Sequence, residues 1–230
     1  MKEKIKTIAF DADDTLWVNE LFFREAGKKL CTMLSDYMPV EQVQEELDKT
    51  IVEDLEWYGY GVKAFVLSMI DTAIRISNNT LPATRVQDIL NIGRDMLQKP
   101  IELLPHVEET LERLNGNYRL VVATKGDLLD QERKLKKSGL EKYFHHIEIM
   151  SDKTLAEYTK LLHHLDCHAD NFLMIGNSMR SDIVPVLELG AYAAHIPYHM
   201  TWAHEQLPYT PEHERFLELE CISDILEHLL

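Results

Sequence analysis

The chain has 230 residues and is 45% hydrophobic, so it can bury a substantial core, and its composition argues against disorder. It contains 24 Lys and Arg residues and 39 Asp and Glu residues, which gives a formal net charge of −15 at pH 7. This charge repels nucleic acid and anionic membrane surfaces, so we expect neither as a partner. A small anionic ligand remains compatible if a divalent cation reverses the local potential.

Cysteine usage favours a reducing cytoplasm. Cys31, Cys167 and Cys221 are widely spaced and form no CxxC pair, so neither a disulfide framework nor a zinc knuckle is indicated. The apolar run of the N-terminal sequence MKEKIKTIAFD is interrupted by Lys6 and Thr7, so we expect no signal-peptide core there. No stretch approaches the roughly 18 uncharged apolar residues of a membrane span.

Short apolar runs rich in β-branched residues predict five strands. They are Ile5–Phe10, Tyr118–Ala123, His146–Met150, Asn171–Ile175 and Ala191–Ile196. Helical patterns between the last four strands cover Leu128–Ser138, Lys153–Leu165 and Asp182–Glu188. Apolar strands alternating with helices indicate an α/β protein with a Rossmann-like parallel sheet covered on both faces.

The first two predicted strands are too far apart for an ordinary crossover, which needs roughly a dozen residues or somewhat more. The intervening sequence is helical in period over Leu21–Met38, Val40–Tyr58, Val62–Ile76 and Thr84–Gln98. We therefore predict a Rossmann-like catalytic core over residues 1–17 and 100–230 and an inserted helical cap domain over residues 18–99.

One segment of the predicted cap is rich in aromatics and glycine, the stretch WYGYGVK from Trp57 to Lys63. It fits a turn between two helices with the aromatic rings packed inward, which is the favoured interpretation. The alternative is a loop facing the substrate, in which Lys63 meets an anionic group.

Polar residues follow the predicted strands where each one ends. The stretch FDADDTLW, from Phe10 to Trp17, places Asp11, Asp13 and Asp14 directly after the first strand. Like charges at the mouth of a core repel one another and resist desolvation, so a partner must offset them. The later strand ends carry TKGD at Thr124–Asp127, SDK at Ser151–Lys153, and GNSMRSD at Gly176–Asp182. In an open parallel sheet these ends lie at one edge, where ligands bind.

These motifs resemble those of the haloacid dehalogenase-like (HAD) superfamily of hydrolases. The similarity rests on DADDT, on Thr124 after RLVVA, on Lys153, and on GNSMRSD, which occur in the family's order. The long insertion also lies where that family places its first type of helical cap. The resemblance covers essentially the whole chain.

The resemblance implies a role for each motif. Asp11 would attack phosphorus and form an aspartyl-phosphate, and Asp13 would protonate the leaving alcohol and then deprotonate the attacking water. The residues expected to bind the transferred phosphoryl group are Thr124, Lys125, Gly126 and Lys153. The ligands expected for Mg²⁺ are Asp11, Asp182, Asn177 and the backbone carbonyl of Asp13.

Two features bear on the reaction. The fourth motif usually begins Gly-Asp, whereas here the second residue is Asn177, which removes one negative charge from the metal shell. Dehalogenases of the superfamily resemble this pattern without the second Asp, because a halide leaving group needs no general acid. The presence of Asp13 therefore favours a Mg²⁺-dependent phosphatase acting on a small phosphorylated metabolite. A phosphomutase and a non-catalytic phosphate-binding or regulatory protein remain alternatives, and a dehalogenase is less favoured.

Several polar residues close to these motifs have no expected catalytic role. Asp14 is expected to cap the turn or the segment that follows it. His195, His199 and His204 occur in AHIPYHMTWAHE, but their spacing fits no helical zinc pair, so we interpret them as polar loop residues.

Overall fold

A parallel sheet forms the centre of the fold in the computed structural model, which describes residues 1–230. Its strands are β1 (Thr7–Phe10), β2 (Arg119–Lys125), β3 (His146–Met150), β4 (Phe172–Gly176), β5 (Tyr192–His195) and β6 (Phe216–Glu218). Every neighbouring pair is parallel, and the order is β3-β2-β1-β4-β5-β6. The predicted α/β class with a Rossmann-like sheet is thus confirmed.

Nine α-helices accompany the sheet. They are α1 (Glu20–Met33), α2 (Val40–Tyr58), α3 (Val62–Ile76), α4 (Ala83–Gln98), α5 (Val107–Leu114), α6 (Leu128–Ser138), α7 (Leu155–His164), α8 (Val184–Glu188) and α9 (Ile225–Leu229). A π-helical turn, Met179–Ile183, precedes α8. No helix combines the length and the apolar character that crossing a bilayer requires.

The chain divides into two compact units. The first comprises Met1–Glu20, Ile101–Lys125 and Gln131–Leu230, and the second comprises Leu21–Pro100 and Gly126–Asp130. The second unit therefore contains the inserted helices together with five residues that follow β2. The first unit has two buried apolar clusters and the second has one, so each unit has a core of its own, as a separately packed domain requires.

In the first unit, successive residues of the central strands enter two different cores. Ile8 and Phe10 of β1 belong to one cluster, and Ala9 between them belongs to the other. On β4, Leu173 packs in the first cluster and Met174 in the second. Because side chains alternate across a strand, both faces of the sheet are buried, which explains why these strands are apolar throughout.

The second unit packs helices α1 to α4 around side chains that recur at helical spacing. Leu30, Leu47, Met69 and Ile89, one from each helix, are fully buried there. Trp57 and Tyr58, by contrast, are 75% and 50% exposed, so the expectation that these rings pack inward is wrong. The reason is their position in the last turn of α2, beyond the reach of the cluster.

Differences between predicted and observed elements lie at boundaries and at the sheet edge. Helix α1 ends at Met33 rather than Met38, because the residue before Pro39 is disfavoured in a helix and Ser35 returns its hydroxyl to the backbone. Strand β6 has no counterpart among the predicted strands, since it has three residues, pairs only with β5 and is only partly buried.

A glycine tests the packing of α3 against α4. A Cβ at Gly93 would lie 2.3 Å from Cγ2 of Val66, which is inside van der Waals contact. We expect Gly93→Ala to lower the free energy of unfolding by about 1–3 kcal/mol, as overpacking does. Denaturant unfolding measures this change.

Gly27 of α1 is the matched control, because its nearest neighbour to an added Cβ is 3.5 Å away. Gly27→Ala should be neutral or stabilise by up to about 1 kcal/mol through the loss of backbone freedom in the unfolded chain. Equal effects of the two substitutions would contradict the packing.

Candidate active site

Three strand ends of the first unit supply one buried ionic cluster. Asp11 follows β1, and its backbone N–H donates to the carbonyl of Ile175 on β4 at 2.9 Å. Lys153 follows β3, and Asp182 lies in the π-helical turn after β4. All strands run parallel, so these three residues lie at the same edge of the sheet.

Lys153 bridges the two carboxylates. Its Nζ lies 2.5 Å from Oδ1 of Asp11 and 2.6 Å from Oδ1 of Asp182. The side chains of Lys153 and Asp182 are each 1% exposed, and that of Asp11 is 10% exposed. The hydroxyl of Thr15 is 3.1 Å from Oδ2 of Asp11 and 3.5 Å from the amide oxygen of Asn177. The structure thus brings Asp11, Lys153, Asp182 and Asn177 together.

Burial and charge act in opposite directions on this cluster. Burial raises the pKa of the Asp11 carboxyl, the Lys153 ammonium opposes that rise, and the nearby Asp182 adds to it. Burial lowers the pKa of Lys153, but the two carboxylates outweigh burial and hold the pKa above its ordinary value. Two carboxylates and one ammonium leave the cluster one positive charge short of neutrality.

Gly176 permits the close approach of Asp182. A Cβ at this position would lie 2.2 Å from Oδ2 of Asp182, so only glycine fits. The same oxygen accepts a hydrogen bond from the backbone N–H of Ser178 at 2.9 Å. The π-helical turn containing Asp182 is of a kind that recurs at functional sites.

The carboxylate of Asp13 is held by donors other than those of the ionic cluster. Trp17 Nε1 and Gln131 Nε2 donate to it at 2.7 and 2.8 Å, and Lys134 Nζ lies 2.9 and 3.1 Å from its two oxygens. Gln131 and Lys134 both belong to α6. Its side chain is 23% exposed, so Asp13 is accessible to solvent.

Asp14 caps the segment that follows it, as expected. Its carboxylate accepts from the backbone N–H of Asn19 at 2.8 Å and from that of Glu20, the first residue of α1. Burial raises the pKa of Asp14 to about 7, although both backbone donors act to lower it.

The four residues expected to bind phosphate do not all lie in the ionic cluster. Thr124 is buried, and its hydroxyl donates to the carbonyl of Lys125 at 3.3 Å. The ammonium of Lys125 lies 2.5 Å from Glu205 and 2.8 Å from the hydroxyl of Ser181. Gly126 has a φ of 120° and is grouped with the second unit. Lys153 alone of the predicted phosphate ligands contacts the nucleophile candidate directly.

Two residues at this edge had no predicted role. Glu205 contacts Lys125, Ser178 and Ser181, and the ring of His195, at the end of β5, contacts the carbonyl of Asn177 through Nε2 at 3.1 Å. Burial lowers the pKa of His195. The signal in the sequence is their position, His195 at the end of the fifth predicted strand and Glu205 after it, because a further strand end of a parallel sheet belongs at the same edge.

The donor set suits a hard cation. Nowhere in the chain are three or more His, Cys, Asp or Glu side chains arranged as a metal site. The predicted set needs only two carboxylates, Asp11 and Asp182, together with the amide oxygen of Asn177 and a backbone carbonyl. All are oxygen ligands of the type that Mg²⁺ prefers. A divalent cation would also offset the excess negative charge of the cluster.

The chain is similar to hydrolases of known structure. A model of the haloacid dehalogenase-like hydrolases matches residues 5–186. A haloacid dehalogenase-like family hydrolase from Xanthomonas campestris is 35% identical, with a TM-score of 0.87 over 98% of this chain and 91% of that one. No curated protein matches the chain.

Two more distant structures share the fold. A predicted phosphoglycolate phosphatase from Haemophilus somnus is 19% identical, with a TM-score of 0.65 over 98% of both chains. A 2-haloacid dehalogenase from Pseudomonas syringae pv. tomato is 21% identical, with a TM-score of 0.64 over 97% of both chains. The same architecture therefore occurs in a predicted phosphatase and in a dehalogenase.

Removal of Lys153 tests the ionic cluster. Lys153→Met leaves two buried carboxylates without their cation, so we expect the free energy of unfolding to fall by about 3–5 kcal/mol. Denaturant unfolding without added metal measures it. Lys160→Met is the control, because Lys160 is 63% exposed and its pair with Glu157 contributes at most about 1 kcal/mol. If Lys153→Met lowered the free energy of unfolding as little as Lys160→Met, the lysine would not be compensating two buried carboxylates.

Proposed function

Because the chain belongs to the haloacid dehalogenase-like hydrolase family, we propose that it is a Mg²⁺-dependent phosphatase that cleaves a small phosphomonoester. The observation that carries this proposal is a nucleophile candidate, Asp11, paired with the buried Lys153 and followed two residues later by a second, water-accessible carboxylate, Asp13.

In the first step, a carboxylate oxygen of Asp11 attacks phosphorus, and the bond from phosphorus to the ester oxygen breaks. The product alkoxide takes a proton from Asp13 and leaves as the alcohol. Asp13 then carries a negative charge, which the donors of Trp17, Gln131 and Lys134 are placed to stabilise.

In the second step, Asp13 removes a proton from water, and the water oxygen attacks phosphorus. The bond between phosphorus and Asp11 breaks, which releases inorganic phosphate and restores both carboxyl groups. The 23% exposure of the Asp13 side chain allows it to exchange protons with solvent between turnovers.

Lys153 is proposed to orient Asp11 before attack and to bind phosphoryl oxygens during transfer. Its ammonium lies 2.5 Å from the attacking carboxylate, so charge that moves onto the phosphoryl group stays within its reach. Thr124, buried at the end of the intervening strand β2, is proposed to donate its hydroxyl to the same oxygens.

Mg²⁺ is the cofactor that fits the donor set of Asp11, Asp182, Asn177 and the backbone carbonyl of Asp13. When bound there, it would neutralise negative charge on the phosphoryl oxygens and on the carboxylates. Asn177 supplies a neutral oxygen, so we expect the two carboxylates to provide most of the affinity.

A phosphatase is favoured over a dehalogenase because its leaving group, unlike a halide, needs a general acid. An alkoxide is a poor leaving group and benefits from a general acid, whereas a halide leaves without one. Asp13 provides that acid. The similarity to both a predicted phosphatase and a 2-haloacid dehalogenase is compatible with either chemistry, so the preference rests on this residue.

Charge and cysteine usage bear on the substrate and on the location of the protein. The net charge of −15 disfavours polyanionic partners, which supports a small phosphorylated metabolite as the substrate. All three cysteines are free, in accordance with the proposed cytoplasmic location.

The first test is phosphate release from a panel of small phosphoesters and p-nitrophenyl phosphate. We expect Mg²⁺-dependent release that EDTA abolishes and that Asp11→Asn reduces by at least about 1,000-fold, because the nucleophile is lost. Asp36→Asn is the control, since Asp36 is 78% exposed and lies in the second unit. Undiminished turnover in the Asp11→Asn protein would refute the mechanism, and an isomerised phosphoester would indicate a mutase.

The second test concerns Asp13 and the type of leaving group. Asp13→Asn should slow release from alkyl phosphates by about 100- to 10,000-fold, because proton transfer is lost. The loss should be smaller with p-nitrophenyl phosphate, whose leaving group needs little protonation. Halide release from 2-haloacids should be absent from the wild-type protein; if it exceeded phosphate release, a dehalogenase would be the better assignment.

A further inference from the structure

We propose that Glu205 is a positioning residue that holds Lys125 and the segment from Asn177 to Asp182 in their working arrangement. The proposal rests on the proposed function, because Asn177 and Asp182 are assigned there to Mg²⁺. No motif of the sequence marks Glu205, which lies in a single helical turn, Ala203–Glu205, after β5.

Both carboxylate oxygens of Glu205 are bonded to residues of this edge. Oε1 lies 2.5 Å from Nζ of Lys125, at the end of β2. Oε2 accepts from the hydroxyls of Ser178 and Ser181, each at 2.5 Å. The side chains of Glu205 and Lys125 are 12% and 13% exposed, so these contacts are largely shielded from water.

The two serines extend the contact to the backbone beside Asp182. The hydroxyl of Ser178 accepts from the backbone N–H of Ser181 at 3.0 Å, and that of Ser181 accepts from Lys125 at 2.8 Å. The backbone N–H of Ser178 donates to Asp182 at 2.9 Å, and its carbonyl accepts from the N–H of Asp182 at 2.8 Å. Ser178 thus connects the two carboxylates: its hydroxyl bonds to Glu205, and its backbone N–H and carbonyl both bond to Asp182.

Glu205 is ionised in this network, and its charge determines where the Lys125 ammonium lies. Burial alone would raise the pKa of Glu205, but Lys125 and the hydrogen bonds to Glu205 lower it to about 2, so the carboxylate stays ionised. The negative charge holds the Lys125 ammonium on Glu205, at 2.5 Å from Oε1. Lys125 also pairs with Asp152 at 3.9 Å, but the Asp152 side chain is 53% exposed, so the loss of charge at Glu205 would shift the ammonium towards a more solvated partner.

Fully connected polar networks of this kind specify a unique geometry. Residues that orient metal ligands without touching the metal change affinity or activity by about 10- to 100-fold when they are replaced. We therefore expect the consequence of losing Glu205 at the metal and in turnover rather than in substrate affinity.

The experiment compares wild type with Glu205→Gln, which keeps an acceptor oxygen but removes the charge. Calorimetry measures Mg²⁺ affinity without substrate, and steady-state kinetics measures kcat and KM for the best ester of the panel. We expect roughly tenfold weaker Mg²⁺ binding and a kcat reduced by about 10- to 100-fold, with KM changed much less. Glu214→Gln is the control in the same loop, because Glu214 is 84% exposed.

A double variant separates positioning from mere stability. If Glu205 acts through Lys125, Lys125→Met combined with Glu205→Gln should lose no more activity than the worse of the two single variants, since coupled residues are not additive. Losses that multiply, or Glu205→Gln with Mg²⁺ affinity and kcat within twofold of wild type, would overturn the proposal.

Ser181→Ala keeps the proposal testable if Glu205→Gln does not fold. It removes one hydroxyl of the network without creating a buried charge, and we expect Mg²⁺ binding to weaken by several-fold; unchanged binding would overturn the proposal.

Failure of the proposed phosphatase function can be distinguished from failure of the proposal for Glu205. A wild-type protein that binds Mg²⁺ but releases no phosphate refutes the phosphatase, and the calorimetric comparison then decides the role of Glu205. A wild-type protein that does not bind Mg²⁺ overturns both.

Discussion

The ion pair of Lys153 with two buried carboxylates is the constraint on which the site depends. A buried charge is tolerated only when it is paired, so Asp11, Lys153 and Asp182 require one another. In the sheet order β3-β2-β1-β4, Lys153 follows β3 and Asp11 follows β1, so the lysine side chain reaches across the end of β2. That is where Thr124 lies, so a threonine and a lysine from different strands are placed to contact the same phosphoryl group in the proposed reaction.

The amino-acid sequence is sufficient to predict the sheet, five of its strands and the residues of the central cluster. Apolar strands indicate a parallel sheet, and a parallel sheet necessarily brings strand ends to one edge, so Asp11, Lys153 and Asp182 can be grouped from residue pattern alone. The edge strand β6 cannot be found in this way, because three half-buried residues carry too little pattern. Boundaries differ where local turn chemistry overrides helical period, as it does before Pro39.

Side-chain orientation and long-range partners could not be predicted. The orientation of Asp13 is set by Gln131 and Lys134, which are 118 and 121 residues away along the chain. Glu205 pairs with Lys125 across 80 residues, from a loop without periodicity. A pattern of residue types predicts which strand ends meet, but it does not predict which of several cations each carboxylate selects, because that choice depends on packing in three dimensions.

The carboxylate with which each lysine pairs determines the net charge of the candidate active site. Glu205 neutralises Lys125, so the central cluster retains two carboxylates and only Lys153 as their counter-ion. A phosphomonoester near pH 7 carries nearly two negative charges of its own, because the second pKa of a phosphate group is about 6. When both carboxylates of the cluster are ionised, such a dianion is repelled unless a divalent cation reverses the sign. The proposed dependence on Mg²⁺ is therefore supported by how the protein distributes its own charges, and not only by the resemblance of its motifs.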